Sequence, residues 1–226
     1  MSILDPFSVL LLDMNGVFMF GEDRFGLEQD FHSTYRDLGG TRLGASEVNQ
    51  AIRSCYEGRA REYDSPRHFD DFPTVKEGLR RYAGTDDADL DDLEATFALH
   101  ERGSVPPAHA DFIRELSRTH QLGLVSNIWA PKQPWLEELD RAGILDAFRV
   151  LVFSSDSRSI KPSPVLFRTA LQAFPAGSAV LFVGDSLRCD IVPAKELGLS
   201  TAWITPETTL ESADHVVPDL LSLGRF

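Results

Sequence analysis

The sequence predicts an α/β protein in which a parallel β-sheet carries a helical domain inserted after its first strand. Three observations support this fold class. A buried apolar strand comes near the start of the chain, and residues 21–104 have helical periodicity almost throughout. From residue 105 onward, short apolar runs alternate with segments of helical period, as in βαβ units. The length of 226 residues has room for one large core carrying such an insert.

Five short apolar runs are the candidate strands of the sheet. Each is four or five residues long and is bounded by polar or turn-forming residues, which is typical of strands buried on both faces. The segments between them have apolar residues at helical spacing, such as Phe167, Ala170, Leu171 and Phe174. We therefore predict a core formed by residues 1–20 and 105–226. The predicted strands are 9–12, 122–126, 150–153, 180–183 and 201–204.

The predicted insert, residues 21–104, has at least three amphipathic helices. Thr74 and Glu77 match a capping box at the start of one of them. The acidic run 86–92 is expected to be a solvated helix N-terminus, where negative charge favours the helix dipole. The predicted apolar faces are Val48, Ala51, Ile52 and Cys55; Val75, Leu79 and Tyr82; and Leu90, Leu93 and Phe97.

Composition and charge exclude several classes of partner. Hydrophobic residues make up 42% and charged residues 25% of the chain, as in ordinary globular proteins. The net charge of −13 argues against a nucleic-acid or anionic-membrane surface, because both need a cationic field. The apolar run 7–12 is far shorter than the roughly 20 residues of a membrane helix. Cys55 and Cys189 are too few for a disulfide framework, so we expect a cytoplasmic protein.

Polar residues follow the predicted strands at the points where the strands end. Ligands of open parallel sheets bind at the carboxyl ends of the strands, so these residues are the first candidates for a site. The loop after the third strand runs through "SSDSRSIKPSP" to a lysine, which is a scarce residue in a chain with 18 arginines and four lysines. The candidates are Asp13, Ser126, Asn127, Lys161, Asp185 and Ser186.

Four short motifs carry these residues, and together they resemble the motifs of the haloacid dehalogenase superfamily. The motifs are "LLDMNGV", "LVSN", "IKPSPVLF" and "VGDSLRCDI", and the resemblance spans about 7–20 and 105–205. It implies a Rossmann-like parallel sheet with an inserted helical cap domain, and a hydrolase that removes phosphate from a small phosphorylated metabolite.

The resemblance also implies roles for the residues at the strand ends. Asp13 takes the position of the nucleophile that becomes an aspartyl phosphate. Mg²⁺ is expected to bind Asp13, the main-chain carbonyl of Asn15 and Asp185, with Asp190 acting through water. Such a hard oxygen shell suits Mg²⁺.

A carboxylate and a phosphate repel each other, so attack requires positive charge between and beside them. Mg²⁺ and Lys161 are expected to provide it. The Ser126 hydroxyl and nearby main-chain N–H groups, including Asn127 in the same motif, are expected to hold the other phosphoryl oxygens.

Asn15 departs from the family pattern, which usually has a second Asp that protonates the leaving oxygen and then activates water. An amide cannot transfer a proton, and losing a general acid/base typically costs about 10² to 10⁴ in rate. Three alternatives stay open: a substrate with a good leaving group, a proton donor in the insert, or a protein that binds a phosphorylated metabolite and turns it over poorly. An Asn introduced to trap a complex would look the same. The candidate donors are Glu22, Asp23 and His32.

Two other branches of the superfamily fit less well. Members of the dehalogenase branch work without metal and lack the "GD" carboxylate that is present here. The phosphonate-cleaving branch uses a cap lysine, and the insert has only Lys76, in no recognisable motif. The substrate and the oligomeric state are not predicted.

Overall fold

A six-stranded parallel sheet forms the centre of the protein in a computed structural model, which describes residues 3–206 and 213–225. The strand order is β3-β2-β1-β4-β5-β6, so the first strand lies in the middle of the sheet. This is a Rossmann-like α/β fold, and it confirms the predicted class. The strands are β1 (Val9–Leu12), β2 (Gln121–Ser126), β3 (Phe148–Phe153), β4 (Val180–Gly184), β5 (Ser200–Ile204) and β6 (His215–Val217).

Helices cover both faces of the sheet and form the segment between β1 and β2. The α-helices are α1 (Phe31–Asp37), α2 (Ala45–Tyr63), α3 (Val75–Gly78), α4 (Leu90–Glu101), α5 (Pro107–Leu116), α6 (Gln133–Arg141), α7 (Ser154–Ser157), α8 (Pro164–Leu171) and α9 (Val192–Glu196). Shorter helical turns are Pro66–His68, Leu79–Ala83, Asp87–Asp89, Leu145–Ala147, Leu187–Ile191 and Leu220–Arg225.

All five predicted strands are present, with ends that differ by at most two residues. The sixth strand, β6, was not predicted. It is only three residues long and pairs with β5 at the edge of the sheet, so its sequence has too few apolar residues to stand out.

The position of β1 determines where the site forms. Leu12, its last residue, pairs with Leu124 of β2 on one side and Val183 of β4 on the other. The main-chain N–H of Asp13 then donates to the Val183 carbonyl at 2.9 Å. Asp13 is therefore held between the carboxyl ends of two neighbouring strands.

The two faces of the sheet bury two hydrophobic clusters, and β1 contributes to both. Leu10 and Leu12 point into one cluster, while Val9 and Leu11 point into the other, as the period of two along a strand requires. All four side chains are fully buried. This burial on both sides explains why the strand reads as a continuous apolar run.

The helical segment has the predicted apolar faces, with two differences. The capping box is present, since the Glu77 carboxylate accepts from the Thr74 N–H at 2.6 Å. Tyr82 is only half-buried, and its hydroxyl donates to the buried Glu62 at 2.7 Å. Asp89, in the acidic run expected to be solvated, is buried and pairs with Arg42 at 2.8 Å.

The two ends of this helical segment meet in space. Phe20 and Ser104 form an antiparallel bridge with main-chain hydrogen bonds of 3.0 and 2.9 Å. The boundaries predicted for the insert, 21–104, lie next to this bridge, and the division into core and cap remains a prediction. In the part of the chain that the structure describes, no helix has the length and apolar character to cross a membrane.

Removing side-chain volume from the centre of the sheet should destabilise the fold. Leu181 in β4 is fully buried, so we expect Leu181→Ala to lower the free energy of unfolding by about 2 to 5 kcal/mol. Leu27, whose exposure is 88%, offers the matched control: Leu27→Ala should stay within about 0.5 kcal/mol of the wild type. Urea unfolding of the three proteins measures both values, and equal losses would contradict this description of the core.

Candidate functional site

A cavity of about 330 Å³ opens at the carboxyl ends of the central strands, next to the helical segment. Its position agrees with the general rule for open parallel sheets. The residues predicted to take part in nucleophilic attack, phosphate binding and metal binding all contribute to its wall. These residues are Asp13, Asn15, Ser126, Asn127, Lys161, Asp185 and Asp190.

Lys161 is the central charge of the site. Its Nζ lies 2.8 Å from Asp13 Oδ1 and 2.6 Å from Asp190 Oδ1, and it also donates to the Val125 carbonyl at 3.1 Å. Burial alone would lower the pKa of this lysine, but the charges of Asp13 and Asp190 raise it above its usual value. The side chain is 2% exposed, so a permanent cation is held beside the predicted nucleophile.

Asp190 is fully buried and uses both of its oxygens. One accepts from Lys161, and the other accepts from the Ser186 N–H at 3.0 Å. Burial raises the pKa of Asp190 to about 7, against the opposing effect of Lys161. Gly184 makes this packing possible, because a Cβ there would lie 2.5 Å from the Asp190 side chain.

Asp185 approaches the loop that follows β1. A Cβ on Gly16 would lie 2.3 Å from Asp185 Oδ2, and Gly16 has a φ of +71°, so only glycine is accommodated without strain. Desolvation and the charge of Asp13 raise the pKa of Asp185 to about 6. The two loops are therefore packed directly against each other.

Three carboxylates in the cavity form a candidate metal centre. One oxygen from each of Asp13, Asp185 and Asp190 lies within 4.8 Å of the others. Because Gly16 has no Cβ, the Asp185 side chain can pack directly against the loop after β1 and stay close to this group. Oxygen ligands of this kind fit Mg²⁺. Asp190 already accepts a hydrogen bond at each of its two oxygens.

Besides Glu22 Oε2, two polar atoms in the wall of the cavity are buried and have no hydrogen-bond partner among the described residues. They are Asn15 Oδ1 and Ser126 Oγ, and Ser126 is fully buried. Buried polar groups normally find a partner, so both atoms are suited to a bound ligand. This matches the prediction for Ser126 as a phosphate-binding hydroxyl, which remains a prediction.

The side chain of Asn127 is committed to protein contacts. Its Oδ1 accepts from the Lys161 N–H at 2.8 Å, and its Nδ2 donates to the Lys161 carbonyl at 3.1 Å and to the Tyr63 hydroxyl at 2.8 Å. Asn127 therefore positions the main chain of Lys161 and connects it to the end of α2. If Asn127 contacts phosphate, it does so through its main chain.

Of the three proton donors considered in the insert, two lie in the cavity wall. Glu22 and Asp23 line the cavity, and burial together with the charge of Glu22 raises the pKa of Asp23 to about 6. His32 does not line it; its ring stacks on Tyr35 in α1 at 6.2 Å between centroids.

Glu101 is a wall residue that the sequence did not reveal. It is the last residue of α4, where nothing in the local pattern separates it from a surface glutamate. The structure buries it, and both of its oxygens accept main-chain N–H groups, from Trp129 and, at 2.9 Å, from Ala130. Burial and the charge of Asp23 nevertheless raise the pKa of Glu101 to about 8.

Aromatic rings complete the wall. Tyr56 and Tyr63 come from α2 and Trp129 from the loop after β2. Each tyrosine ring lies 5.7 Å from the Trp129 ring between centroids. These rings were also missed, because aromatic residues at helical spacing are usually core residues.

Comparisons with known proteins support a hydrolase. A family model described as haloacid dehalogenase-like hydrolase matches residues 7–198. The glyceraldehyde 3-phosphate phosphatase of Pyrococcus abyssi is 31% identical over 193 residues, which cover 80% of this chain and 68% of that protein. Two further curated relatives are matched over only about half of their length, 44% and 52%.

Solved structures share the fold over nearly the whole chain. A phosphatase from Thermococcus onnurineus has a TM-score of 0.64 at 22% identity, covering 96% of each chain. The L-2-haloacid dehalogenase of Xanthobacter autotrophicus, with chloropropionic acid covalently bound, has a TM-score of 0.63 at 20% identity, covering 97% of each chain. The fold is therefore shared by enzymes of different chemistry.

The proton on Glu101 provides a test of the electrostatics of the cavity. The folded protein holds this proton up to about pH 8, whereas the unfolded chain loses it near pH 4.5. Between these values the folded state binds more protons, so Glu101 lowers the free energy of unfolding as the pH rises. We expect Glu101→Gln to remove this part of the slope in urea unfolding measured between about pH 5 and about pH 8.

Glu138→Gln is the matched control for that measurement. Glu138 is also buried, but hydrogen bonding to Arg141 lowers its pKa. The stability that its ionised form adds to the folded state is therefore lost only as the pH falls through that lowered pKa. Its replacement should leave the slope above about pH 5 unchanged. Equal slopes for the wild type and Glu101→Gln would show that Glu101 is ionised throughout.

Proposed function

The chain belongs to the haloacid dehalogenase-like hydrolases, and from that premise we propose that it is a Mg²⁺-dependent phosphatase of small phosphorylated metabolites. In this proposal Asp13 is the nucleophile and becomes an aspartyl phosphate. The observation that carries it is the arrangement around Asp13: a carboxylate at the end of the central strand, paired with a buried lysine and within reach of two further carboxylates.

The chemistry assigned to each side chain follows from this geometry. An oxygen of Asp13 attacks phosphorus, and the bond between phosphorus and the leaving oxygen breaks as the new bond forms. Lys161 holds Asp13 in place and offsets the negative charge of the phosphoryl group. The unpartnered Ser126 hydroxyl donates to a phosphoryl oxygen. Water then attacks the aspartyl phosphate, which releases inorganic phosphate and regenerates the carboxylate.

The carboxylate cluster fits a divalent cation. We propose Asp13, the Asn15 main-chain carbonyl and Asp185 as ligands of Mg²⁺, with Asp190 acting through water. When bound, Mg²⁺ supplies positive charge that reduces the repulsion between the Asp13 carboxylate and the phosphate. Asp185 is held for this role by its contact with the loop at Gly16.

Asn15 determines which substrates this enzyme can use well. Its amide can hydrogen-bond but cannot protonate a leaving alcohol. Either the leaving group needs little help, as in an acyl phosphate, or another group supplies the proton. Glu22, Asp23 and Glu101 lie in the cavity wall and are the donors that the geometry offers. The alternative of a weak, mainly binding protein has less support, because the nucleophile, the lysine and the carboxylates are all retained.

The dehalogenase alternative has less support than the phosphatase. The fold alone does not distinguish them, but the curated relative named above is a phosphatase, and the Asp185 and Asp190 carboxylates suit metal-assisted phosphoryl chemistry. We further propose that residues 21–104 form a cap that selects the leaving group. Both cysteines are free thiols, which supports the cytoplasm as the proposed location.

A hydrolysis screen tests the proposed function directly. With Mg²⁺ present, we expect the protein to release phosphate from acyl phosphates and sugar phosphates, and chelation of Mg²⁺ should stop the reaction. Asp13→Asn should abolish turnover while circular dichroism shows a folded protein, because an amide is a poor nucleophile. Asp111→Asn, at an exposed position outside the cavity, is the control and should retain the wild-type rate. Wild-type turnover in Asp13→Asn or in chelator would refute the assignment.

Restoring the acid at position 15 tests the explanation given for Asn15. We expect Asn15→Asp to accelerate phosphoryl transfer from sugar phosphates by up to about 10², and from acyl phosphates much less, since only a poor leaving group needs a proton. Single-turnover measurements isolate this step from later release of the aspartyl phosphate.

Asn15→Ala is the control for that substitution, because it removes the amide without adding an acid and should accelerate neither substrate. If Asn15→Asp changes both substrates equally, the proton comes from elsewhere in the cavity and Glu22, Asp23 and Glu101 become the candidates.

A further inference from the structure

The wall of the cavity formed by the helical segment and by Trp129 from the loop after β2 is both acidic and aromatic. We refer to Glu22, Asp23, Glu101, Tyr56 and Trp129 as the cap wall. All five line the cavity that contains Asp13. None of them is needed for the attack on phosphorus or for the proposed metal ligation. The three acids are candidate proton donors, but a leaving group needs only one, so the composition of the whole wall calls for a separate explanation.

Glu101 holds its proton up to about pH 8, so the charge of the cap wall at neutral pH comes from Glu22 and Asp23. The described residues that line the cavity do not neutralise this charge. Among the described residues that line the cavity, Lys161 is the only cation, and Asp13 and Asp190 hold it. Outside the lining, Arg188 lies over the Tyr63 ring but pairs with Asp64 at 3.2 Å.

Two other arginines approach the cap wall from outside. The Arg24 guanidinium donates to main-chain carbonyls, including that of Arg102 at 2.7 Å. Arg59 lies 5.2 Å from the Trp129 ring centroid and donates to the carbonyl of Thr74 at 2.7 Å. Both offset part of the acidic charge, but neither lines the cavity. A leaving group in the cavity therefore faces carboxylates directly.

An unused acceptor in the cap wall indicates where a ligand would bind. Glu22 Oε2 is buried and has no hydrogen-bond partner among the described residues. Glu22 lines the same cavity as Asp13, so a group attached to a phosphate on Asp13 can contact this acceptor.

Carboxylates next to aromatic faces are the side chains that recognise ammonium groups, through charge pairing and cation–π attraction. We propose that the cap wall binds a positively charged group on the leaving alcohol, so that the preferred substrates are phosphate monoesters of amino alcohols. Neutral alcohols are accepted less well, and an anionic leaving group is disfavoured. This inference rests on the proposed phosphatase function and adds its substrate class.

Three esters of nearly equal size test the charge preference: 2-aminoethyl phosphate, 2-hydroxyethyl phosphate and carboxymethyl phosphate, which carry a cationic, a neutral and an anionic leaving group. We expect kcat/KM to fall in that order, with at least about tenfold between the first and the last, equivalent to about 1.4 kcal/mol. The three alcohols also differ in intrinsic reactivity. The decisive quantity is therefore the change that each variant causes in the ratio of kcat/KM for the cationic ester to kcat/KM for the anionic ester.

Glu22→Gln keeps the shape of the side chain and removes its charge, and it should reduce the preference for the cationic over the anionic ester about fivefold. Asp23→Asn is the second variant and should act in the same direction. Its backbone has a φ of +54°, which asparagine tolerates, so the substitution should not disturb folding. Glu57→Gln, next to Tyr56 on α2 but exposed and outside the cavity, should leave the ratio unchanged.

p-Nitrophenyl phosphate serves as the reference substrate, because its good leaving group needs neither a charge contact nor a proton. Hydrolysis of this reference together with equal charge ratios in the wild type and both cap-wall variants would overturn the substrate class and leave the phosphatase function intact. Absence of Mg²⁺-dependent hydrolysis of all four esters would refute the proposed function and the inference with it.

Discussion

The buried ion pair of Lys161 with Asp13 and Asp190 is the interaction on which the site depends. Two carboxylates this close would repel each other in a dry cavity, and one would take up a proton unless a cation lay between them. Lys161 supplies that cation. The surroundings serve the same contact: Gly184 leaves space for Asp190, and Asn127 holds the main chain on both sides of Lys161. The loops after β1, β2, β3 and β4 are thus assembled around one ammonium group.

The cavity is electrostatically divided between its two walls. On the side of the sheet, the lysine and the proposed metal ligands are arranged to hold a phosphoryl group. On the side of the helical segment, Glu22, Asp23 and Glu101 stand beside aromatic rings. Charges close to each wall act mainly on their own part of a ligand. In the proposed function, the attack on phosphorus uses residues on the side of the sheet, whereas the leaving group contacts residues on the side of the helical segment.

The sequence predicted those features that depend on the order of elements along the chain. Asp13, Ser126 and Asp185 could be identified because each follows an apolar run, and parallel strands bring such ends together. Glu101 and Tyr63 could not, because they lie at the ends of helices whose local patterns describe only packing. Their place in the cavity depends on how the helical segment lies against the sheet, which periodicity does not specify. Strand β6 was missed for a different reason, since three residues carry too little signal.

The bridge between Phe20 and Ser104 has an evolutionary consequence. Because the two ends of the helical segment are hydrogen-bonded to each other, the core contacts the segment at adjoining points of entry and exit. The closure cost of a connection grows only slowly with its length, so a longer, shorter or unrelated segment can be accommodated there. If this segment selects the leaving group as proposed, selection can exchange it as a module without moving the loops that carry Asp13 and Lys161.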